Sequence, residues 1–170
     1  YLKTGLAGVT PDECDELENY ALKWDIRGNL WLRDAPWTAH PQGYSENWDE
    51  ADIACLARLN TLRDMVRMPL NHLYNALNTS DRASDKVKAL YSFALEIRLP
   101  EQVRTKAQML LETGNSKLAE EYRQLWDIFC GVLDQFHEIL QGSELSNEDF
   151  ARLFRLVLTQ YDVGTIPVSL

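Results

Sequence analysis

Side chains able to do chemistry are present in this chain of 170 residues, but their spacing rarely lets them act together. His40, His72 and His137 are scattered, with neither His-x-x-x-His nor Cys-x-x-Cys spacing, so no zinc site is indicated. His137-Glu138 lacks the second histidine that a metalloprotease helix requires. Asp12, Glu13, Asp15, Glu16 and Glu18 offer paired carboxylates, which do general acid/base work only in a pocket that shifts their pKa values. Crowded into the first turns of a helix, they have a structural explanation, because negative charge there interacts favourably with the helix dipole. No glycine-rich loop ends in Gly-Lys-Ser/Thr, so a P-loop nucleotide cradle is absent, and no Ser/His/Asp constellation can be assigned from order alone. The expectation is of no catalytic, metal-binding or cofactor-binding residue and no cofactor in this stretch.

Recognition is better represented than catalysis. Arg58, Arg63 and Arg67 recur four or five residues apart on a helical pattern and read as a basic stripe, either solvated or facing phosphate. Trp31, Trp37, Tyr44 and Trp48 fall in a stretch at 29–48 where Pro36, Pro41, Gly43 and Asn47 allow no helical period. A loop of that length inside a compact domain usually signals function or disorder. Its rings either pin it to the helices or stand exposed to stack on bases or grip a partner. Charge and exposure single out Arg27, Trp31, Trp37, Trp48, Arg58, Arg63 and Arg67 as candidate contacts to DNA or to a partner.

The elements that must position these residues are helical. Thr10-Pro11-Asp12-Glu13 combines a capping threonine, a proline in the first turn and a reciprocal glutamate, starting a helix over about 11–25. Asp49 to Asn78 carries Ile53, Leu56, Leu59, Leu62, Val66, Leu70, Leu73 and Leu77 at helical spacing, with Pro69 predicting a kink or break near Arg67 and Met68. Further helices are predicted over about 82–97 and 101–112, and from a start at Ser146 with Asp149 three residues on. The longest proline-free pattern runs between Ser116 and Gly142, read as its caps. There Leu118, Tyr122, Leu125, Trp126, Phe129, Val132, Leu133, Phe136, Ile139 and Leu140 form one wide face for burial. Val163 to Val168 is β-branched and reads as a short extended segment at the C-terminus. The fold class is therefore all-α: one domain over 1–170, an irregular bundle of about six helices with a long aromatic loop.

Composition narrows the partners. Seventeen basic against 26 acidic residues give a net charge of −9, which disfavours strong autonomous binding to DNA or to an anionic membrane. Cys14, Cys55 and Cys130, odd in number and far apart, read as reduced thiols in a cytoplasmic setting. No run of about 18 apolar residues exists, so no helical membrane span is expected. Tyr1 in place of Met reads as a chain that begins inside something longer.

Three groups of residues together go beyond composition. Tyr1 to Leu6, then Leu17-Glu18-Asn19-Tyr20 with Ile26-Arg27-Gly28 and Trp31, then Ala119-Glu120-Glu121-Tyr122 with Trp126 and Leu133-Asp134-Gln135, resemble in shared order the B subunit (AddB, RexB-like) of AddAB-type ATP-dependent helicase/deoxyribonucleases. Ala89 to Phe93 and Gly164-Thr165-Ile166-Pro167 fit the same family. The resemblance implies a piece similar to the 2B-type helical insertion of an inactivated helicase joined to an iron–sulfur nuclease domain, in a complex that processes double-strand breaks for recombination. Its implied partners are the remainder of the B subunit, together with the A subunit, with double-stranded DNA bound weakly in isolation and no membrane. The leading expectation is a noncatalytic accessory helical domain. The alternative is a helical protein–protein interaction module unrelated to DNA, and a free-standing hydrolase would need a polar pocket of convergent carboxylates.

Overall fold

A computed structural model describes residues 1–160; the extended segment expected at 163–168 lies outside the described residues. Among them the chain forms a 3-10 turn at Leu2–Thr4 and seven α-helices: α1 (Pro11–Lys23), α2 (Asn29–Leu32), α3 (Glu50–Thr79), α4 (Ala83–Glu96), α5 (Leu99–Glu112), α6 (Ser116–Leu140) and α7 (Asn147–Leu158). No strand occurs among the described residues; an isolated antiparallel bridge joins Arg82 and Glu144. The all-α class is as expected, and α2 is a single extra turn inside the stretch read as loop. No described helix is long and apolar enough to cross a membrane. The chain packs as two compact units, residues 1–71 and from 72 onward.

In the first unit, the Thr10 hydroxyl accepts from the Glu13 N–H while the Glu13 carboxylate accepts from the Thr10 N–H at 2.9 Å, the reciprocal cap that begins α1. The helix ends two residues earlier than expected. Asp25 turns left-handed (φ 49°), so that the Ile26 N–H donates back to the Ala21 carbonyl at 2.8 Å. α1 and α3 bury Leu17, Tyr20, Leu59, Leu62 and Val66 in one core with Ala7 and Trp37. Pro69 does not break α3, whose helical geometry continues through it to Thr79, and Ile53 is exposed rather than buried.

The second unit is organised on α6, against which α4, α5 and α7 pack. Val132, Leu133 and Phe136 of α6 meet Val87 and Phe150 in its core. The burial of α6 is narrower than its sequence pattern suggests: Leu118 and Ile139 face solvent, and Tyr122, Leu125, Trp126 and Phe129 are half-buried. Ser116 is the first helical residue rather than the cap, which is Asn115 without a side-chain capping bond, while Gly142 (φ 87°) lies just past the end. Lys86 of α4 is fully buried; its ammonium donates to the Leu77 carbonyl at 3.0 Å and to Asn147 Oδ1, and lies 3.5 Å from the Asp81 carboxylate.

Candidate interaction site on the aromatic loop

Residues 33–49 cross the first unit without regular structure, so their backbone polar groups need partners from elsewhere. α1 supplies three. Tyr20 OH donates to the Ala39 carbonyl at 2.9 Å, Lys23 Nζ to that of Pro41 at 2.6 Å, and Trp24 Nε1 to that of His40 at 3.0 Å. Burial pushes the Tyr20 phenol above its ordinary pKa, so it is a donor at neutral pH. From α3, Asn60 grips Trp37 in both directions: its Oδ1 accepts the Trp37 N–H at 2.7 Å and its Nδ2 donates to the Trp37 carbonyl at 3.0 Å.

His40 is the internal hub of the loop. It is buried, and its Nδ1 accepts from the Gln42 N–H at 3.0 Å, which places the ring proton on Nε2. That nitrogen then donates to the Asn47 carbonyl at 3.0 Å and lies 3.3 Å from the Asp52 carboxylate. Asp52 in turn belongs to the start of α3, where Asp49 Oδ1 accepts the Asp52 N–H at 2.8 Å. Sequence reading considers His40 only as a metal ligand. Nothing in its spacing marks it as an anchor, because its hydrogen bonds go to backbone atoms of the loop it organises and its one carboxylate neighbour, Asp52, lies twelve residues away. Among the described residues no three His, Cys, Asp or Glu side chains gather as a metal site.

The four aromatic residues of the loop divide by depth. Trp37 is buried in the core, stacked on Tyr20 with ring centroids 4.9 Å apart, and the half-buried Trp31 meets it edge-on at 5.0 Å. These two pin the loop. Trp48 is 43% exposed with one side tilted onto His40 at 4.4 Å, and Tyr44 is 93% exposed, edge-on to Trp24 at 5.1 Å. Tyr44 is not among the candidate contacts drawn from the sequence, yet it is the most exposed ring of the loop.

The expected arginine stripe does not form on the outer face. Arg63 is 1% exposed: its guanidinium lies 5.3 Å from the centre of the Trp37 ring and donates to the Arg33 carbonyl. Burial first, and the Arg67 charge second, hold it below the usual arginine range. Arg67, also buried, donates to Asp34 at 2.8 Å, to Asp64 at 3.1 Å and to the Leu32 carbonyl at 3.3 Å, and the bond to Asp34 raises its pKa. The physical reason for the inward turn is α2. A four-residue helix leaves its last carbonyls without helical partners, and two cations one turn apart on α3 satisfy those of Leu32 and Arg33. Arg58 remains half-exposed but bridges to Glu16 at 2.9 Å and Glu13 at 3.5 Å on α1. Arg27 is exposed and pairs with Asp25 at 2.6 Å. The structure thus brings Arg63, Arg67, Trp31 and Trp37 together as an internal anchor, with Arg27, Arg58 and Trp48 apart from them.

No protein-family model matches the chain. Curated relatives named as the B subunit of an ATP-dependent helicase/deoxyribonuclease do. That of Clostridium botulinum (strain Loch Maree / Type A3) is 33% identical over 170 residues and that of Clostridium kluyveri (strain NBRC 12016) 34% over 172. That of Caldanaerobacter subterraneus subsp. tengcongensis is 32% identical over 170. Each match takes in the whole of this chain, which spans about 15% of the length of the relative. The family resemblance read from the sequence is borne out: the chain is homologous from end to end to a segment of that protein.

Proposed function

We propose that this chain, homologous along its length to a segment of the B subunit of ATP-dependent helicase/deoxyribonucleases, is a noncatalytic helical accessory part of such a protein. In this reading the parent complex processes double-strand breaks for recombinational repair in the cytoplasm. The segment needs no cofactor of its own. Its partners are the remainder of the B subunit, together with the A subunit, and duplex DNA binds weakly, if at all, to the segment alone. The observation that carries the accessory role is the use of the arginines: Arg58, Arg63 and Arg67 hold α1, α2 and the loop to α3. A guanidinium already bonded inside the fold is withdrawn from phosphate. The loop it secures presents Tyr44 and Trp48 outward.

The test is made in the complete two-subunit complex carrying Tyr44→Ala with Trp48→Ala. ATP turnover and nuclease turnover at saturating substrate are expected to stay near the parent level, while assembly with the partner or processivity falls. Loss of turnover in a fully assembled variant would overturn the accessory reading. The second reading, an interaction module unrelated to DNA, is favoured by the acidic total of −9. Recovery of neither the A subunit nor the rest of the B subunit in a pull-down would support it against the first.

A further inference from the structure

The loop between Tyr44 and Glu50 combines two exposed rings with acids that the fold leaves unpaired. Tyr44, Glu46, Trp48, Asp49 and Glu50 are all exposed. Among the described residues Glu46 and Glu50 have no ion-pair partner, and Asp49 uses its Oδ1 to accept the Asp52 N–H. Each ring rests against one aromatic neighbour, Trp48 against His40 and Tyr44 against Trp24, and both stay exposed to solvent. The backbone beneath them is tied down through His40 to Gln42 and Asn47, and through Lys23 to Pro41. The surface is therefore ordered before any partner arrives, which lowers the entropy lost on binding.

Charge complementarity selects the occupant. An aromatic face attracts a guanidinium or ammonium, and a carboxylate beside it adds a charge-assisted bond. A nucleic-acid strand could stack bases on the same rings, but its phosphates would approach Glu46, Asp49 and Glu50. The first unit as a whole carries seven basic against twelve acidic residues, so the field around the loop repels an anion. We propose that residues 44–50 form a docking surface for an arginine-rich protein segment, with Trp48 and Tyr44 receiving guanidinium groups and Glu46, Asp49 and Glu50 pairing them. This deepens the contact role proposed above by naming the chemistry of the partner, and it rests on that reading only for where the partner comes from.

The experiment titrates the 170-residue chain calorimetrically with an unstructured peptide alternating arginine with glycine and serine. A glutamate counterpart and single-stranded oligothymidine serve as comparison ligands. Trp48→Ala, and separately Glu46→Gln with Asp49→Asn and Glu50→Gln, are each expected to weaken arginine-peptide binding about tenfold. Asparagine at 49 keeps the oxygen that receives the Asp52 N–H, so the neutralised variant retains the start of α3 even if Trp48→Ala loosens the loop. Glu101→Gln with Glu138→Gln, on α5 and α6, removes two exposed charges elsewhere and is expected to change binding less than about twofold. Equal weakening by that control, no preference for the arginine peptide over its glutamate counterpart, or oligothymidine binding that Trp48→Ala abolishes would each overturn the proposal. Peptide binding in the isolated chain reads the chemistry of the surface, whereas assembly of the complex reads the accessory role, so the two can fail separately.

Discussion

Replacing Asn60 with alanine isolates the clasp that fixes the aromatic loop to α3. The Asn60 amide makes two bonds to Trp37, at 2.7 and 3.0 Å, and a third from Nδ2 to the Leu56 carbonyl at 3.1 Å within its own helix. Losing the two loop bonds costs about 1 kcal/mol each, and a buried Trp37 N–H left without an acceptor adds about 1–3 kcal/mol less whatever relaxation recovers, so a loss of about 2–4 kcal/mol is expected. At 1.4 kcal/mol per factor of ten, loop opening rises by about thirtyfold to several hundredfold. The assay is hydrogen exchange at the Trp37 amide followed by NMR, beside denaturant unfolding of the whole chain. Asn60→Asp provides the internal contrast. It keeps an oxygen for the Trp37 N–H but sets a carboxylate against the Trp37 carbonyl, so stability falls while the Trp37 amide stays better protected than in Asn60→Ala. Exchange at Trp37 within about threefold of the parent in Asn60→Ala would refute the reasoning, because the side chain would then be an ornament on a loop held by other means.

Three further perturbations test separate parts of the fold. Lys86→Met should destabilise the second unit by about 1–3 kcal/mol in urea unfolding, since it leaves the Leu77 carbonyl and Asn147 Oδ1 without their buried donor. Glu13 is held below its ordinary pKa first by the Thr10 N–H and then by the Thr10 hydroxyl. Its stabilising contribution is therefore present above the unfolded value and lost as pH falls through the folded one, and Glu13→Gln should flatten the acid limb of the unfolding midpoint against pH. Tyr20 titrates in the opposite sense. Burial raises its phenol, so its contribution is complete below the unfolded value of about 10 and lost as pH rises through the folded one. Tyr20→Phe should cost about 1 kcal/mol near neutrality and lose less stability than the parent at alkaline pH.

Much of the helical order was legible because helix ends announce themselves locally. The reciprocal pair Thr10 and Glu13, and Ser146 accepting from the Asp149 N–H, both form where the spacing predicts them. The apolar periods of α1, α3 and α6 likewise locate the helices that carry the two cores. What the period cannot reveal is a tertiary acceptor. A helical pattern assigns every arginine to the solvent side, whereas Arg63 and Arg67 turn inward because the carbonyls of Leu32 and Arg33 wait there. The aromatic loop shows the same limit. Trp37 and Trp48 are identical letters in one irregular stretch, and only the position of Asn60 and Tyr20 against one, and of His40 against the other, decides which becomes core and which remains at the surface.

These arginines also change what the net charge means. A formal balance treats every guanidinium as available to solvent, but Arg63 and Arg67 are buried and Arg58 is bridged to α1. Of the seven basic side chains in the first unit, these three are thus engaged within it, while Glu46, Asp49 and Glu50 remain exposed. The net charge of the unit is unaltered by this, but at the loop surface the exposed charged groups are carboxylates while these cations face other parts of the fold. Recovering Arg63 and Arg67 for phosphate would mean breaking their bonds to the Arg33 and Leu32 carbonyls and, for Arg67, to Asp34 and Asp64 as well, at about 1–3 kcal/mol for each buried group left open. Binding to a DNA backbone gains little from cations that must first be extracted at that cost. A cationic partner needs no such rearrangement, because the exposed rings and acids are already in place when it arrives.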